Sequence, residues 1–367
     1  MEQTSVPSRI AQSHRDADDQ RWRMIGRGAL LLIAALALAC GRASAQDETV
    51  RIGMVRALSS ASTMIAIEKG YFKDYGIRVE IEDIDSSIDA LAPVAQGGLQ
   101  VVEGGISAAY FNAIEKNLPV TIAIDRVSSP LNHKLIVRAD LKDKIRDIAQ
   151  LKGVPLASNS RGSITNYEIG KIFAKAGLAY RDADIKFIPF TQMGVAFANK
   201  AVDAAFMIQP FASQVVDQGF GFVFADPEDF APGPMTIAVS FVNTDWAAKS
   251  PELAKSFFLA SLKGAREYCQ AYHGGPNRSE VVDIALRTGV ETRRELIDKY
   301  PWAARNPDGR VNVASMLDIQ KFFVAEKLAL KELPAERLLT SAYSDYAAAR
   351  LGPFVLQNLD NKLAGCR

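Results

Sequence analysis

Apolar and polar positions follow two rhythms along this chain. Short apolar runs of strand length are RIGMV (51–55), RVEIEDI (78–84), LQVVEGG (99–105) and VTIAID (120–125). Stretches of helical character separate them, at 64–69, 88–96 and 108–116. This strand–helix alternation predicts a parallel sheet with helices on both faces. LIVRA (135–139) then leads into a second unit with the same rhythm. It comprises VPLASN (154–159), a helix over 163–176, IKFIPF (185–190), a helix over 194–199 and AAFMI (204–208). MTIAVSFVN (235–243) is a further long β run. From Pro251 onward the pattern is helical, and its aromatic pairs Phe257–Phe258 and Phe322–Phe323 read as core.

The two long β runs flank the second unit. The chain is therefore expected to leave a first lobe near Leu135 and to return near Met235, with two crossover strands acting as a hinge. This divides it into residues 46–134 (first lobe), 135–240 (second lobe with the crossovers) and 241–367 (return and C-terminal helices). The fold class is α/β, in two lobes. Open α/β sheets bind ligands at the carboxyl ends of their strands, and two such sheets facing across a hinge can close on a ligand.

The N-terminal segment has the form of an export leader. ALLLIAALALA (29–39) is an apolar run too short to span a bilayer, preceded by Arg21, Arg23 and Arg27. Ala43-Ser44-Ala45 offers a small-x-small cleavage site, so residues 1–45 read as a signal peptide and Gln46 as the mature start. Met24 is an alternative start. Leu38-Ala39-Cys40 offers a second reading, a lipoprotein box, although Ala37 stands where such boxes usually carry Leu.

Charge narrows the function. The chain carries a net charge of +1, and the six Arg and four acidic residues of the leader leave the remainder slightly negative. Nothing here calls for nucleic acid, which requires a basic face. Beyond the leader only Cys269 and Cys366 remain. One disulfide and two free thiols are both open readings, because sequence does not show whether they are near each other.

Chemistry-bearing residues gather at the predicted strand ends. Ser59, Ser60 and Ser62 occupy the first strand-to-helix turn, where free backbone N–H groups favour an anionic or polar group. The same serines could simply cap the helix. Ser86 and Ser87 follow the second strand with the same two readings. After the third strand, Gly104 and Gly105 permit close backbone approach and Ser107 opens a helix. Arg126 could pair bidentately with a carboxylate or sulfonate, or sit in an ordinary salt bridge. Ser160, Arg161, Gly162, Ser163 and Thr165 form a hydroxyl-rich turn at a helix start, suited to an anion. Gln209 ends the strand AAFMI. His133 beside the first crossover reads as structural, His273 as a loop residue, and His14 falls in the leader.

Catalytic constellations are incomplete. Gly105-Ile106-Ser107-Ala108-Ala109 has the placing of a nucleophile elbow, with His273 downstream, but its last Gly is replaced by Ala109 and no oxyanion motif precedes it. The two remaining His are far apart and no HExxH occurs. No catalysis, metal or cofactor is expected.

Five segments, in order, resemble one family. IAIEKGYFKDYGIRVEIE (65–82) is similar to the opening of the NMT1/THI5-like solute-binding proteins, which include nitrate, sulfonate, taurine and pyrimidine-precursor receptors of ABC importers. LAPVAQGGLQVVEGGISAAYFNAIEKNLPVTIAI (91–124), ASNSRGSITNYEIGKIFAKAGL (157–178), FANKAVDAAFMIQPF (197–211) and LLTSAYSDYAAARLG (338–352) resemble its later blocks. Gln100 departs from the pattern, standing where many relatives carry Asp. A pyrimidine-synthesising branch uses a Cys-rich motif that this chain lacks. The resemblance implies a type II-like periplasmic binding protein fold with a two-strand hinge and a helical C-terminal segment. It also implies a monomeric periplasmic component of an ABC importer, recognised in its closed form by an inner-membrane permease. Arg126, Arg161 and the hydroxyl-rich turns favour a small organic anion, a sulfonate or carboxylate, aromatic ones included. A neutral pyrimidine-type solute, a sensory binding protein and, last, an exported Ser hydrolase are the alternatives.

Overall fold

The computed structural model describes residues 47–229, 233–358 and 363–367. The leader, cleavage and lipidation readings fall outside these residues. The described strands are β1 (Glu48–Met54), β2 (Ile77–Asp83), β3 (Val101–Gly105), β4 (Val120–Ser128), β5 (Lys134–Arg138), β6 (Pro155–Ser158), β7 (Asp184–Phe187), β8 (Ala204–Met207), β9 (Gly221–Ala225) and β10 (Thr236–Asn243). They form two five-stranded sheets, ordered β2-β1-β3-β10-β4 and β7-β6-β8-β5-β9.

The strands β1, β3, β4, β5, β6, β8 and β10 are largely buried on both faces and read as nearly continuous apolar runs, whereas β2, β7 and β9 at the sheet edges are only partly covered. Successive side chains point to opposite faces. Val101 joins the cluster under the helices Ala61–Glu68 and Pro251–Tyr272, while Val102 joins the cluster around Phe111 and Phe323. In the second sheet Phe206 packs with Phe173 and Leu156, and its neighbour Met207 packs with Met193 and Phe197. Phe257, Phe258 and Phe323 are fully buried, as core residues should be, and Phe322 is half-buried. The helices Ala61–Glu68 and Pro251–Tyr272 cross closely at Gly264, where a Cβ would collide with the carbonyl of Ser62.

The sheets are not wholly parallel. β10 runs antiparallel to β3 and β4, pairing Ser240 with Glu103 and Val239 with Asp125. β5 runs antiparallel to β8 and β9. The reason is topological. A strand that arrives from the other lobe enters its sheet from the ligand end, opposite to strands fed by local helices. The boundary expected at residue 240 therefore falls inside β10, which pairs only within the first sheet. The chain crosses at 129–133 and 226–235, and the described residues of these connections carry no strand.

Local boundaries also differ from expectation. The helix expected at 88–96 is only Leu91–Ala95, and that expected at 194–199 begins at Phe190, directly after Pro189. β9 and the helix Phe211–Asp217 have no counterpart in the sequence reading, and the helical region expected from Pro251 onward includes the separate short helices Arg278–Arg287 and Arg294–Lys299. Their windows are short or weakly periodic, and tertiary packing completes them.

Cys269, in the long helix Pro251–Tyr272, is disulfide-bonded to Cys366, across a sequence separation of 97. This ties the C-terminus to the first-lobe core, and the chain-entropy account gives such a loop about 4–5 kcal/mol. Cys269→Ser/Cys366→Ser should therefore lower the melting temperature by roughly 5–10 °C in calorimetry, and should abolish the sensitivity of the parent protein to reductant.

Candidate functional site

A cleft opens where the carboxyl ends of both sets of parallel strands converge. The first lobe contributes Met54 from the end of β1, Glu103 to Gly105 from the end of β3, and Arg126 from β4. The second lobe contributes Asn159 after β6, Phe190 after β7, and Ile208 and Gln209 after β8. The first crossing adds Asn132 and His133. The cavity volume is about 60 Å³. A single water needs roughly 10–15 Å³ by the same measure, so the space suits a ligand no larger than about one six-membered ring.

Its ionisable groups come as pairs. Arg126 Nη2 lies 2.7 Å from Glu103 Oε2, with both side chains almost fully buried. Thr63 bridges them, donating to Glu103 Oε2 at 2.7 Å and accepting from Arg126 Nη2 at 2.6 Å. Burial lowers the affinity of the Arg126 guanidinium for its proton, while the charge of Glu103 raises it. His133 Nδ1 lies 2.9 Å from each carboxylate oxygen of Glu168, which is on the helix Ile164–Lys175. This pair joins the first crossing to the second lobe.

A second buried network supports the floor from below. Arg305, 1% exposed, hydrogen-bonds Ser62 Oγ and stacks 3.7 Å from the Tyr268 ring. Beside it, Asp125 Oδ2 accepts from the backbone N–H of Asn306 at 2.8 Å. Burial pushes the Asp125 carboxyl up, against this hydrogen bond and the charge of Arg305. The strap at 302–309 thus fixes the N-terminal turn of the helix Ala61–Glu68 and the end of β4 together.

The sequence-predicted residues divide into two groups. Ser59, Ser60, Ser86, Ser87, Gly105, Arg126, Ser163 and Gln209 line the cleft, and so does Gly104. Ser62, Ser107, Ser160, Arg161, Gly162 and Thr165 do not belong to its lining. Ser62 is turned inward onto Arg305. Thr165 is fully buried and donates to Asn159 Oδ1 at 3.0 Å. Arg161 is exposed. The others form a seam between the lobes. Ser160 Oγ meets Ser86 Oγ at 2.9 Å, Ala108 N donates to Gly162 O at 2.9 Å, and Ser107 bridges Ser163 in antiparallel fashion. Leu58 N donates to Gln209 O at 3.2 Å on the other flank. Small residues at helix starts, read as an anion cradle, here let two backbones approach closely. A Cβ on Gly105 would lie 2.8 Å from Ile164 Cγ2, and Gly162 has φ +74° with Ala108 Cβ only 3.2 Å from where its own would be.

Glu103, Asn132, Asn159 and Phe190 line the cleft without having been singled out, and His133 lines it although it reads as structural. Glu103 left a signal: a lone carboxylate within an apolar strand run must be paired or must serve a ligand. Asn132 and His133 left none, because their place depends on the crossing. Tyr110 and Tyr167, whose positions bear on ring stacking, are core residues, and Tyr71 hydrogen-bonds Glu267. Phe190 supplies the aromatic wall instead. His273 Nε2 lies 3.0 Å from the Gly365 carbonyl, beside the C-terminal disulfide, whereas Ser107 stands on the seam, so the two do not form a hydrolase pair.

Comparison with known proteins agrees with this fold. The NMT1-like family model matches residues 43–286. The formylaminopyrimidine-binding protein of Halalkalibacterium halodurans is 26% identical over 280 residues, covering 73% of this chain and 81% of its own length. The bicarbonate-binding protein CmpA of Synechococcus elongatus is 24% identical over 283 residues, covering 67% of this chain and 58% of its own length. The alkanesulfonate-binding protein SsuA of Xanthomonas axonopodis pv. citri, solved with bound MOPS, superposes with a TM-score of 0.64 at 18% identity, covering 81% of this chain and 97% of that one.

Gly105→Ala should force the lobes apart at Ile164. Small-angle X-ray scattering should show a larger radius of gyration than in the parent protein, and Gly105→Ala/Ile164→Ala should return to the parent profile. An unchanged profile in the single variant would mean that the seam tolerates a methyl group.

Proposed function

Because the chain belongs to the NMT1-like family, we propose that it is the solute-binding component of an ABC importer, working outside the cytoplasmic membrane and delivering a small organic solute to a permease. One observation carries this reading: the cleft is lined by both lobes and by the crossing between them, at the ligand-binding ends of two open sheets. Contacts from both lobes exist together only when the cleft is shut. A ligand that makes them favours the closed state, and that population shift is what a permease can read.

The relatives' names span formylaminopyrimidine, bicarbonate and alkanesulfonate, so the family leaves the ligand's charge open. For an organic carboxylate or sulfonate, Arg126 is the cleft's guanidinium, and Ser59 and Ser60 line the same cavity. Arg161 has no part in that reading. On this reading the solute is held and released unchanged, as a carrier's role requires.

A thermal-shift screen of the protein from Gln46 onward tests the reading. Sulfonates, carboxylates, nitrate, bicarbonate and pyrimidines form the panel. One class should stabilise the protein saturably, by about 2.7 kcal/mol at a hundredfold excess over Kd. Ser59→Phe, at a half-exposed position on the cleft wall, should abolish that shift while leaving the unliganded melting temperature near the parent value. A shift that survives Ser59→Phe would place binding elsewhere and overturn the proposal.

A further inference from the structure

Two polar contacts join the lobes outside the cleft, and both come from one helix. The helix Phe211–Asp217 belongs to the second lobe, where its Ala212 and Val215 pack with Met193 and Phe197. Gln214 and Asp217 are three positions apart and so share one face of it. They meet the first-lobe segment 290–293, whose Val290 lies in the first-lobe core. Gln214 Nε2 donates to Glu291 Oε2 at 3.2 Å, and Arg293 Nη1 lies 3.1 Å from Asp217 Oδ2. None of these four residues lines the cleft.

Glu291 is the buried member, 4% exposed. Its Oε1 accepts from the backbone N–H groups of Thr292 at 2.7 Å and Arg293 at 3.1 Å. Its Oε2 accepts from Tyr300 Oη at 2.9 Å as well as from Gln214. Burial pushes the Glu291 carboxyl up, but the Thr292 and Arg293 N–H groups, Gln214 and Tyr300 outweigh it and hold it below the usual Glu range. The carboxylate is therefore fixed by its own lobe, and the other lobe supplies a hydrogen bond to an ion, the stronger kind. The half-exposed pair Arg293–Asp217 adds direction more than strength.

The same helix starts at the cleft. Gln209, just before it, lines the cavity, and its Oε1 accepts from Ser213 N at 3.2 Å. Gln209 O also accepts from Leu58 N of the first lobe. Between Gln209 and Asp217, over about two helical turns, the second lobe thus touches the first at three points. Lobes that swing apart lose them.

We propose that Gln214–Glu291 and Asp217–Arg293 form a latch outside the cleft, which favours the shut state and sets how tightly the protein holds any solute without touching it. A binder whose competent state is only partly populated has its apparent affinity reduced by that fraction. A latch that raises the shut population tightens every solute by the same factor, while the cleft residues keep the choice among solutes. The family match ends at residue 286, so Glu291 and Arg293 lie beyond it. The effect on affinity rests on the solute-binding reading above; the latch itself does not.

Small-angle X-ray scattering of the purified protein without solute tests the latch directly. Gln214→Glu sets a second carboxylate against Glu291 and should enlarge the radius of gyration, with an unchanged circular dichroism spectrum. Gln214→Glu/Glu291→Gln exchanges donor and acceptor and should restore the parent profile. Asp217→Arg and Asp217→Arg/Arg293→Asp should repeat the pattern through the second contact, which keeps the test open if one variant fails to fold. Calorimetry with methanesulfonate, acetate, nitrate, bicarbonate and cytosine reads the affinity. Every one of these that the parent binds should bind Gln214→Glu at least about tenfold more weakly, by a common factor, the scale of one hydrogen bond to a charged group. Parent-like scattering from both single variants overturns the latch, as does an enlarged profile that neither exchange restores. A loss confined to one solute would place the effect in the cleft and overturn the proposal. If the parent binds none of the compounds, that counts against the solute-binding reading, and scattering alone decides the latch.

Discussion

The chain passes between its two sheets twice, and every property of the cleft depends on those crossings. The first leaves after β4 and enters β5, and the second leaves β9 and enters β10. Each is anchored by pairing at its ends: Thr236 opposite Ser128 in the first sheet, and Leu135 opposite Ala225 in the second. The first carries Asn132 and His133 into the cleft, and the two together force one strand in each sheet to run against its neighbours. A single crossing would let the lobes swivel, and the residues at the strand ends would have no fixed partners to face.

Buried charge makes the floor of this cleft rigid. Glu103, Arg126 and Thr63 form a closed set of contacts under 3 Å, and Arg305 with Asp125 forms a second network beneath. Burying such ions is expensive, and apolar residues of similar size would often give equal or greater stability. Their retention at the ligand end of the sheet fits preorganisation: polar atoms are held in place before a solute arrives, so little rotamer entropy remains to be lost on binding. The wall is different in kind. Beside Phe190 it carries serines and glycines whose small size lets the lobes touch at Ser86–Ser160 and Gly105–Ile164. Rigid charge below and a close-fitting seam above suit a site that must discriminate while shut and release when open.

Much of this was legible in the sequence. Strand-length runs mark nine of the ten described strands, most of them because a strand buried on both faces has to be almost wholly apolar; β2 instead alternates charged and apolar residues, as a partly exposed edge strand does. The strand ends rich in Ser and Gly mark the open end of each sheet, because turns that feed helices need capping and tight backbone. Five motif segments in order sufficed for the family. The strand Gly221–Ala225 was passed over, since GFVFA between a helix and a loop has no distinctive period.

The sequence by itself determined the fold class, the two-unit organisation and the end of each sheet that would face a ligand, since all three follow from local periodicity and connection order. Only the tertiary structure decided which polar residues touch the cleft. Ser62 and Ser59 are three positions apart on one turn, yet one is pinned inward by Arg305, more than two hundred residues away in sequence, and the other faces the cavity. The pairings of Glu103 with Arg126, His133 with Glu168 and Cys269 with Cys366 are likewise set by which strands and helices become neighbours. Contact between residues distant in sequence is a property of the packed chain. A side chain's type announces what it can do, and only its neighbours decide whether it is used for closure, for support or for a ligand.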